Sequence, residues 1–248
     1  MAAWPHLPHA PIAEALLDIQ VVLPKSVTIS DLEKLHDFFR ERFPLKKPRA
    51  SGSIRVEIKG EGVEPKISTS AAPDGFFFSS SDSKQVVQAR LNGFSFSRLK
   101  SYNTWETFRD EARAAWNIYT KIVAPESITR IALRYINRIE IPFPMGDFKE
   151  YVLTTAEIAP GLPQGMSEFF MRLVVPKQEL EATAIITQAM EPVQEGARLP
   201  LIFDIDVFRL GSFAVATDEI WTMFESLRNL KNEIFFKSIT PKAEELFK

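Results

Sequence analysis

One segment, residues 129–142, most restricts what this chain can fold into. Because successive side chains of a β-strand point to opposite faces, the segment divides cleanly into two sets. The apolar face would carry Ile131, Leu133, Tyr135, Asn137, Ile139 and Ile141, and the charged face Arg130, Arg134, Arg138 and Glu140. This alternation predicts a strand in an antiparallel sheet that is covered on one face.

The three arginines of this strand need separate partners. Residues four apart on a strand are separated by roughly 13 Å, so neighbouring arginines cannot share one carboxylate. One interpretation is cross-strand ion pairing. Its partners would be Asp204 and Asp206, which share a face of the later strand Leu201–Phe208, with Glu57 as a further candidate. The other interpretation is that part of the row lines a cleft and binds carboxylate or phosphate, which suit guanidinium groups.

Asn137 favours the second interpretation. Its amide lies among isoleucines on the apolar face, where a polar group requires buried hydrogen-bond partners. Such a residue either fixes the local backbone or faces a ligand. We therefore take Arg134, Asn137 and Arg138 as the candidate ligand-binding residues.

Composition narrows the class of protein. The chain has 248 residues, of which 45% are hydrophobic, and its net charge is -2, so a global attraction to nucleic acid is not expected. Cysteine is absent, which excludes disulfides, thiolate catalysis and cysteine-ligated metals. No secretory signal or membrane-spanning stretch is visible. We expect a cytoplasmic globular protein that makes no membrane contact.

Periodicity predicts three helices and eight strands. The helices are expected at Ser30–Phe43, Thr104–Val123 and Thr217–Ile239, the last with Ile220, Phe224, Leu227 and Ile234 on one stripe. The loops are expected at Leu45–Gly52 and Pro142–Gly165. The strands are expected at Ala15–Leu23, Ser53–Lys59, Gly75–Ser80, Val86–Leu99, Arg130–Ile141, Glu168–Val175, Leu180–Gln188 and Leu201–Leu210.

A short echo in the sequence indicates an internal duplication. Arg98-Leu99, followed by Trp105 and Phe108, matches Arg209-Leu210, followed by Trp221 and Phe224. In both places the end of a strand leads into the start of a helix. We predict an α+β protein of two similar halves, residues 1–125 and 126–248, interlocked as one unit, with a mainly antiparallel sheet and long helices on one side.

Catalytic motifs are mostly missing from the sequence. The three histidines do not form a zinc-binding pair, and His36 is expected at the surface or core edge of the first helix. Asp204 and Asp206 could hold magnesium, because alternate strand residues point the same way and hard oxygen ligands suit that ion. The dense basic segment Lys46-Lys47-Pro48-Arg49, with Arg55 and Lys59, could contact nucleic acid but is also typical of a solvated loop. Doubled phenylalanines predict some outward-facing rings.

The chain resembles a sporadically distributed family of uncharacterised bacterial proteins of about 250 residues. The resemblance rests on Pro11-Ile12-Ala13-Glu14-Ala15, on Arg134-Tyr135-Ile136-Asn137-Arg138-Ile139 and on Phe236-Lys237-Ser238-Ile239-Thr240. It implies a bacterial cytosolic protein of a single architecture. A patchy distribution is typical of accessory genes, including those of mobile elements and genome defence.

Three functional hypotheses follow. The first is a non-catalytic binding or interaction protein, without cofactor or metal, that recognises an anionic ligand or a protein partner near Arg134, Asn137 and Arg138, and that could be a homodimer. The second is a magnesium-dependent enzyme acting on a phosphorylated or nucleotide substrate through Asp204 and Asp206. The third, a nucleic-acid-binding module, predicts steeply salt-dependent binding.

Overall fold

The computed structural model describes residues 4–57, 66–100, 102–191 and 198–248, with side chains for all of these but 51–57 and 66–71. The first part of the described chain contains two helices and five strands. In order they are β1 (Ile12–Val22), α1 (Ile29–Phe39), β2 (Leu45–Glu57), β3 (Lys66–Ser79), β4 (Gln85–Arg90), β5 (Gly93–Leu99) and α2 (Trp105–Val123). The second part contains β6 (Ser127–Ile141), β7 (Phe170–Lys177), β8 (Ala182–Met190), β9 (Leu199–Phe213), α3 (Glu219–Ser238) and α4 (Pro241–Glu244).

The strands of the described residues form one antiparallel sheet in the order β2-β3-β4-β5-β1-β6-β9-β8-β7. β1 and β6 pair at its centre, with β5 on the outer side of β1 and β9 on the outer side of β6. The predicted central strand therefore exists, and its neighbour β9 is the strand that carries Asp204 and Asp206. A large antiparallel sheet with four helices in the described part fits the α+β class.

The helices pack on one side of this sheet, called the helix face below. α3 contacts β6 and β9, α2 contacts β5, and α1 contacts β3 and α2. Alternate strand residues, among them Leu17, Phe96, Leu133 and Ile205, are completely buried beneath them. The helices have 11, 19, 20 and 4 residues, so they are of moderate length and not the long helices predicted. None of them is long and apolar enough to cross a membrane, among the residues described.

Two predicted boundaries were wrong for identifiable reasons. The single strand expected at Val86–Leu99 is a hairpin, β4 and β5, joined at Leu91 and Asn92. Asn-Gly is a typical hairpin signal, and a Cβ at Gly93 would collide with the carbonyl oxygen of Ile19. The loop expected at Leu45–Gly52 belongs to β2, at the edge of the sheet, where lysine and proline are tolerated.

Other expectations agree with the structure. Residues 142–169 are irregular apart from a 3-10 turn at Phe148–Glu150 and a single bridge at Val152. α2 begins after Thr104, whose hydroxyl accepts a hydrogen bond from the Thr107 N–H at 3.2 Å. α1 begins at Ile29 after Thr28, whose N–H donates to Asp31, so the expected start at Ser30 lies one residue inside the helix. Phe38 and Phe170 are the outward-facing members of their doublets.

Candidate functional site

A pocket of about 1020 Å³ opens on the helix face, at the end of the sheet where β1 starts. Four stretches of chain enclose it: the N-terminal segment 4–13, the start of α2, the end of β6, and the middle of α3. Its size is at the upper end of small-molecule pockets. Its charged lining residues are Lys100, Glu106, Arg138, Glu140, Arg228 and Lys231, with His6 and His9 at the N-terminal segment.

One face of α3 forms the inner wall of this pocket. Arg228, Lys231, Asn232 and Phe235 recur at helical spacing, so they lie along the same side of the helix. Neighbouring positions Leu227 and Leu230 are buried in the core. The apolar stripe of α3 therefore holds the cationic and amide groups in place against the sheet.

Lys231 is partly buried at this wall. Its Nζ lies 3.9 Å from the ring centroid of Tyr135 and donates a hydrogen bond to Asn232 Oδ1 at 2.5 Å. Among the described residues, none of the carboxylates lies within 4 Å of it. Burial, and secondly the charge of Arg228, lower the pKa of Lys231 from its ordinary value of 10.5 to about 7. Lys231 is thus an amine that exchanges its proton near neutral pH.

Two tyrosines, Tyr102 and Tyr135, line the pocket together with Lys231. The Tyr135 hydroxyl on β6 donates to the Tyr102 hydroxyl at 2.8 Å, which leaves the Tyr102 proton able to donate elsewhere. Burial raises the pKa of Tyr102 to about 12 and that of Tyr135 well above its ordinary value. Both phenols therefore stay protonated at neutral pH.

Arg228 is weakly engaged by protein carboxylates. Its guanidinium nitrogens lie 3.7 Å from Glu225 and 3.9 Å from Glu106, beyond ordinary hydrogen-bond distance. Glu225 instead accepts from Trp105 Nε1 at 2.6 Å and from Arg109 at 2.8 Å, which ties α2 to α3. The guanidinium of Arg228 is therefore available to a ligand.

The N-terminal segment closes one side of the pocket. Trp4 stacks on Phe236 of α3, with ring centroids 5.4 Å apart. The N–H of His9 donates to the Phe247 carbonyl at 2.9 Å, and the Pro11 carbonyl accepts from the N–H of Arg138 at 2.8 Å. These contacts hold the segment across the ends of β6 and α3.

The structure separates the three predicted site residues. Asn137 is 3% exposed on the helix face and lines the pocket, and its amide donates to the Phe203 carbonyl at 2.9 Å. Arg138, at the end of β6, also lines the pocket, and it pairs with Glu140 and with Glu191. Arg134 lies on the face of β6 opposite to Asn137 and does not line the pocket. Its guanidinium binds Asp204 in bidentate fashion, with Nε at 2.9 Å and the second nitrogen at 2.6 Å.

That opposite face, the arginine face, carries a chain of ion pairs through the central strands. Asp18 of β1 pairs with Arg90 and, at 3.2 Å, with Arg130, which also reaches Asp206 at 3.1 Å. These side chains are mostly buried. The ion-pair interpretation of Arg130 and Arg134 is confirmed, and Asp18 and Arg90 are partners that the sequence did not indicate. The side chain of Glu57, the further candidate, is outside the described part.

The two aspartates proposed as magnesium ligands are both held by arginines. Arg134 forms an ion pair with Asp204, and Arg130 forms one with Asp206. Burial raises the pKa of Asp206, while the charges of both arginines oppose this rise. In the described ranges no three acidic or histidine side chains come together as a metal cluster. The chemistry of this face is that of a structural ion-pair network.

The remaining candidates have structural roles. His36, at the edge of the core as expected, contacts the Pro44 carbonyl at 3.3 Å and stacks on Phe78. In the basic segment, Lys46 pairs with Glu33 at 2.7 Å and Arg49 with Asp74. The side chain of Arg55 and the whole of Lys59 lie outside the described residues.

Sequence reasoning missed Lys231 and Arg228, although a signal was present. Lys231 lies four residues after Leu227 and three before Ile234, in the middle of the stripe predicted to be apolar. A cation at such a position is exceptional unless it has a partner or a function.

Comparison of the chain with protein-family models finds no match, and comparison with curated proteins finds none either.

Proposed function

We propose that this protein binds an anionic small molecule in the pocket of the helix face. The observation that carries the proposal is the charge of the lining: four cationic residues against two carboxylates, with Lys231 away from any described carboxylate. When Lys231 is protonated the pocket has an excess of two positive charges. An anion between Arg228 and Lys231 would balance this charge and form charge-assisted hydrogen bonds.

The three residues predicted from the sequence have different roles in this proposal. Arg138 would contact the ligand at the mouth, and Asn137 would hold the end of β6 in place through its hydrogen bond to Phe203. Arg134 would act only structurally, by holding Asp204 of the neighbouring strand β9 through its ion pair. The aromatic groups of Tyr102, Trp105 and Phe235 favour a ligand that also has a planar or apolar part.

The magnesium enzyme receives less support, because it needs free aspartates and both are paired with arginines. Membership in the resembling bacterial family, a cytosolic location and an accessory role in mobile elements or defence remain predictions.

The strand order supports the proposal of two similar halves. Each half starts with a strand that lies beside the last strand of the same half, β1 beside β5 and β6 beside β9. A helix with the Trp-x-x-Phe pattern in its first turns follows in each half, with Trp105 in α2 and Trp221 in α3. The pocket lies between the start of α2 and the middle of α3, where the two halves meet.

A thermal-shift screen tests the binding proposal. Phosphate, nucleotides, phosphosugars and dicarboxylates would be screened against the wild type, Arg228→Met and Arg134→Met, a pair that places the same substitution on opposite faces. A ligand at ten times its Kd should raise the Tm by about 3–6 °C. We expect this shift to be lost in Arg228→Met and kept in Arg134→Met. The reverse pattern would place the site on the arginine face.

A further inference from the structure

Lys231 has the surroundings of a nucleophilic amine. It is partly buried, lies over the Tyr135 ring, has a cationic neighbour in Arg228, and opens into a pocket of about 1020 Å³. Lysines that form imines with carbonyl compounds are typically activated by an apolar setting or by an adjacent cation. Both conditions hold here.

We infer that the ligand is an anionic aldehyde or ketone and that Lys231 captures it reversibly as an imine. The inference rests on the proposed function, since Arg228 and Arg138 would hold the carboxylate or phosphate of the same ligand. It adds to the proposed function that the ligand carries a carbonyl group, which reaches Lys231.

The reaction balances without a further reagent. The Nζ lone pair attacks the carbonyl carbon, the C=O π electrons move to oxygen, and a proton passes from nitrogen to that oxygen to give a carbinolamine. The oxygen then leaves as water with the second hydrogen of the amine, and a C=N bond remains. The protonated Tyr102 hydroxyl is the group that can donate a hydrogen bond to the departing oxygen, because its own oxygen already accepts from Tyr135.

The protonation state of its amine distinguishes Lys231 from lysines at the surface. Lys149, Lys237, Lys242 and Lys248 each pair with a glutamate, and such pairing stabilises the charged, unreactive form. The proton of Lys231 is instead destabilised by burial and by Arg228. With its pKa lowered to about 7, Lys231 has a substantial neutral fraction at pH 7, whereas an ordinary lysine with a pKa of 10.5 is almost entirely charged.

The test uses two matched probes, pyridoxal 5′-phosphate, which is an anionic aldehyde, and pyridoxine 5′-phosphate, which has an alcohol in its place. The wild-type protein would be incubated with the aldehyde at pH 7, reduced with borohydride and mapped by peptide mass spectrometry. We expect Lys231 to be labelled at least about tenfold faster than any surface lysine. Labelling should disappear from this peptide in Lys231→Arg and persist in Lys237→Arg, which removes an exposed lysine of the same helix.

Labelling spread evenly over surface lysines in the wild type would overturn the inference, whether or not the variants fold. Binding of pyridoxine phosphate, measured by calorimetry, separates this failure from that of the proposed function. If the alcohol binds and the aldehyde gives no adduct at Lys231, anion binding stands and imine capture is wrong. If the alcohol does not bind and the aldehyde does not label Lys231, anion binding in the pocket and imine capture are both contradicted for this class of anion. Relative to the wild type, Tyr102→Phe should slow the labelling of Lys231 at least about tenfold and leave the Kd of the alcohol within about threefold. An unchanged labelling rate would mean that Tyr102 does not assist the departure of the oxygen.

Discussion

At the scale of single residues, Lys231 occupies a position that the periodicity of α3 assigns to an apolar side chain. Its ammonium group lies over the Tyr135 ring instead of beside a described carboxylate. Burial of a charge in this manner is costly, and the lowered pKa of Lys231 records that cost. A residue retained at such a cost is a good indicator of function.

The pH dependence of stability should reveal this burial. Above its folded pKa of about 7 and below its unfolded pKa of 10.5, Lys231 is protonated in the unfolded chain and neutral in the folded one. Stability therefore rises with pH in this window, because the unfolded state binds more protons. Relative to Lys231→Met, the wild type should gain about 2 kcal/mol between pH 7 and pH 9, measured by urea unfolding.

A stability difference between wild type and Lys231→Met that does not change with pH would contradict this. The groups that face Lys231 do not obscure the window, because they are the same in both proteins and burial keeps the pKa values of Tyr102 and Tyr135 above it. These groups are Arg228, Glu106, Arg138, Glu140, Tyr102 and Tyr135. His6 and His9, at the N-terminal segment, are present in both proteins and cancel.

Asp18 is the residue on which the arginine face depends most. It is 6% exposed and accepts from both Arg90 and Arg130. Asp18→Asn would leave the mostly buried guanidinium of Arg90 without its carboxylate and Arg130 with Asp206 alone, so we expect the free energy of unfolding to fall by about 3 kcal/mol in urea denaturation. The control Asp37→Asn, at an exposed position of α1, should change it by less than about 0.5 kcal/mol. Equal effects of the two substitutions would mean that the ion pairs contribute little.

At the scale of elements, β7 is one of the two edge strands of the sheet, opposite β2. Phe170, Val174 and Val175 on this strand are 70%, 55% and 45% exposed. An edge strand with apolar side chains and unpaired backbone groups is a template for pairing with another chain. The homodimer considered from the sequence would form most readily here.

Val174→Lys should therefore weaken the proposed homodimer, since lysine on an edge strand opposes pairing. We expect at least a tenfold weaker association in sedimentation experiments, with the Tm nearly unchanged. The control Val22→Lys alters a residue 43% exposed at the end of the central strand β1 and should have no such effect. If both variants associate like the wild type, β7 is not an association surface.

The elements also show why some parts of the fold could be predicted and others not. The alternation in β6 and β9 indicated both faces correctly, because side-chain direction along a strand depends on local sequence alone. The first part of β2, Leu45–Gly52, was missed because its lysines and proline suit either a loop or an edge strand, and only the position in the sheet decides. Pairing of Arg130 with Asp18 depends on β1 lying beside β6, which no local pattern contains.

At the scale of the whole molecule, the pocket exists because segments distant in sequence meet at one end of the sheet. Residues from four stretches contribute to it, namely 4–13, 100 with 102–106, 135–140 and 228–236. The sequence led to Asn137 and Arg138 through their unusual positions on one strand. Alternation already put Arg134 on the face opposite to Asn137, but it could not show that Arg138, at the end of β6, reaches the pocket, or that Lys231 completes the site.

The central claim is that an anion binds in this pocket on the helix face. The most direct test is a crystal structure of the protein with the anion that gives the largest increase in Tm. We expect electron density for the anion in the pocket beside Arg228 and Lys231, with its charged group hydrogen-bonded to Arg228. Density for the anion at Arg134 on the arginine face, with the pocket unoccupied, would contradict the claim.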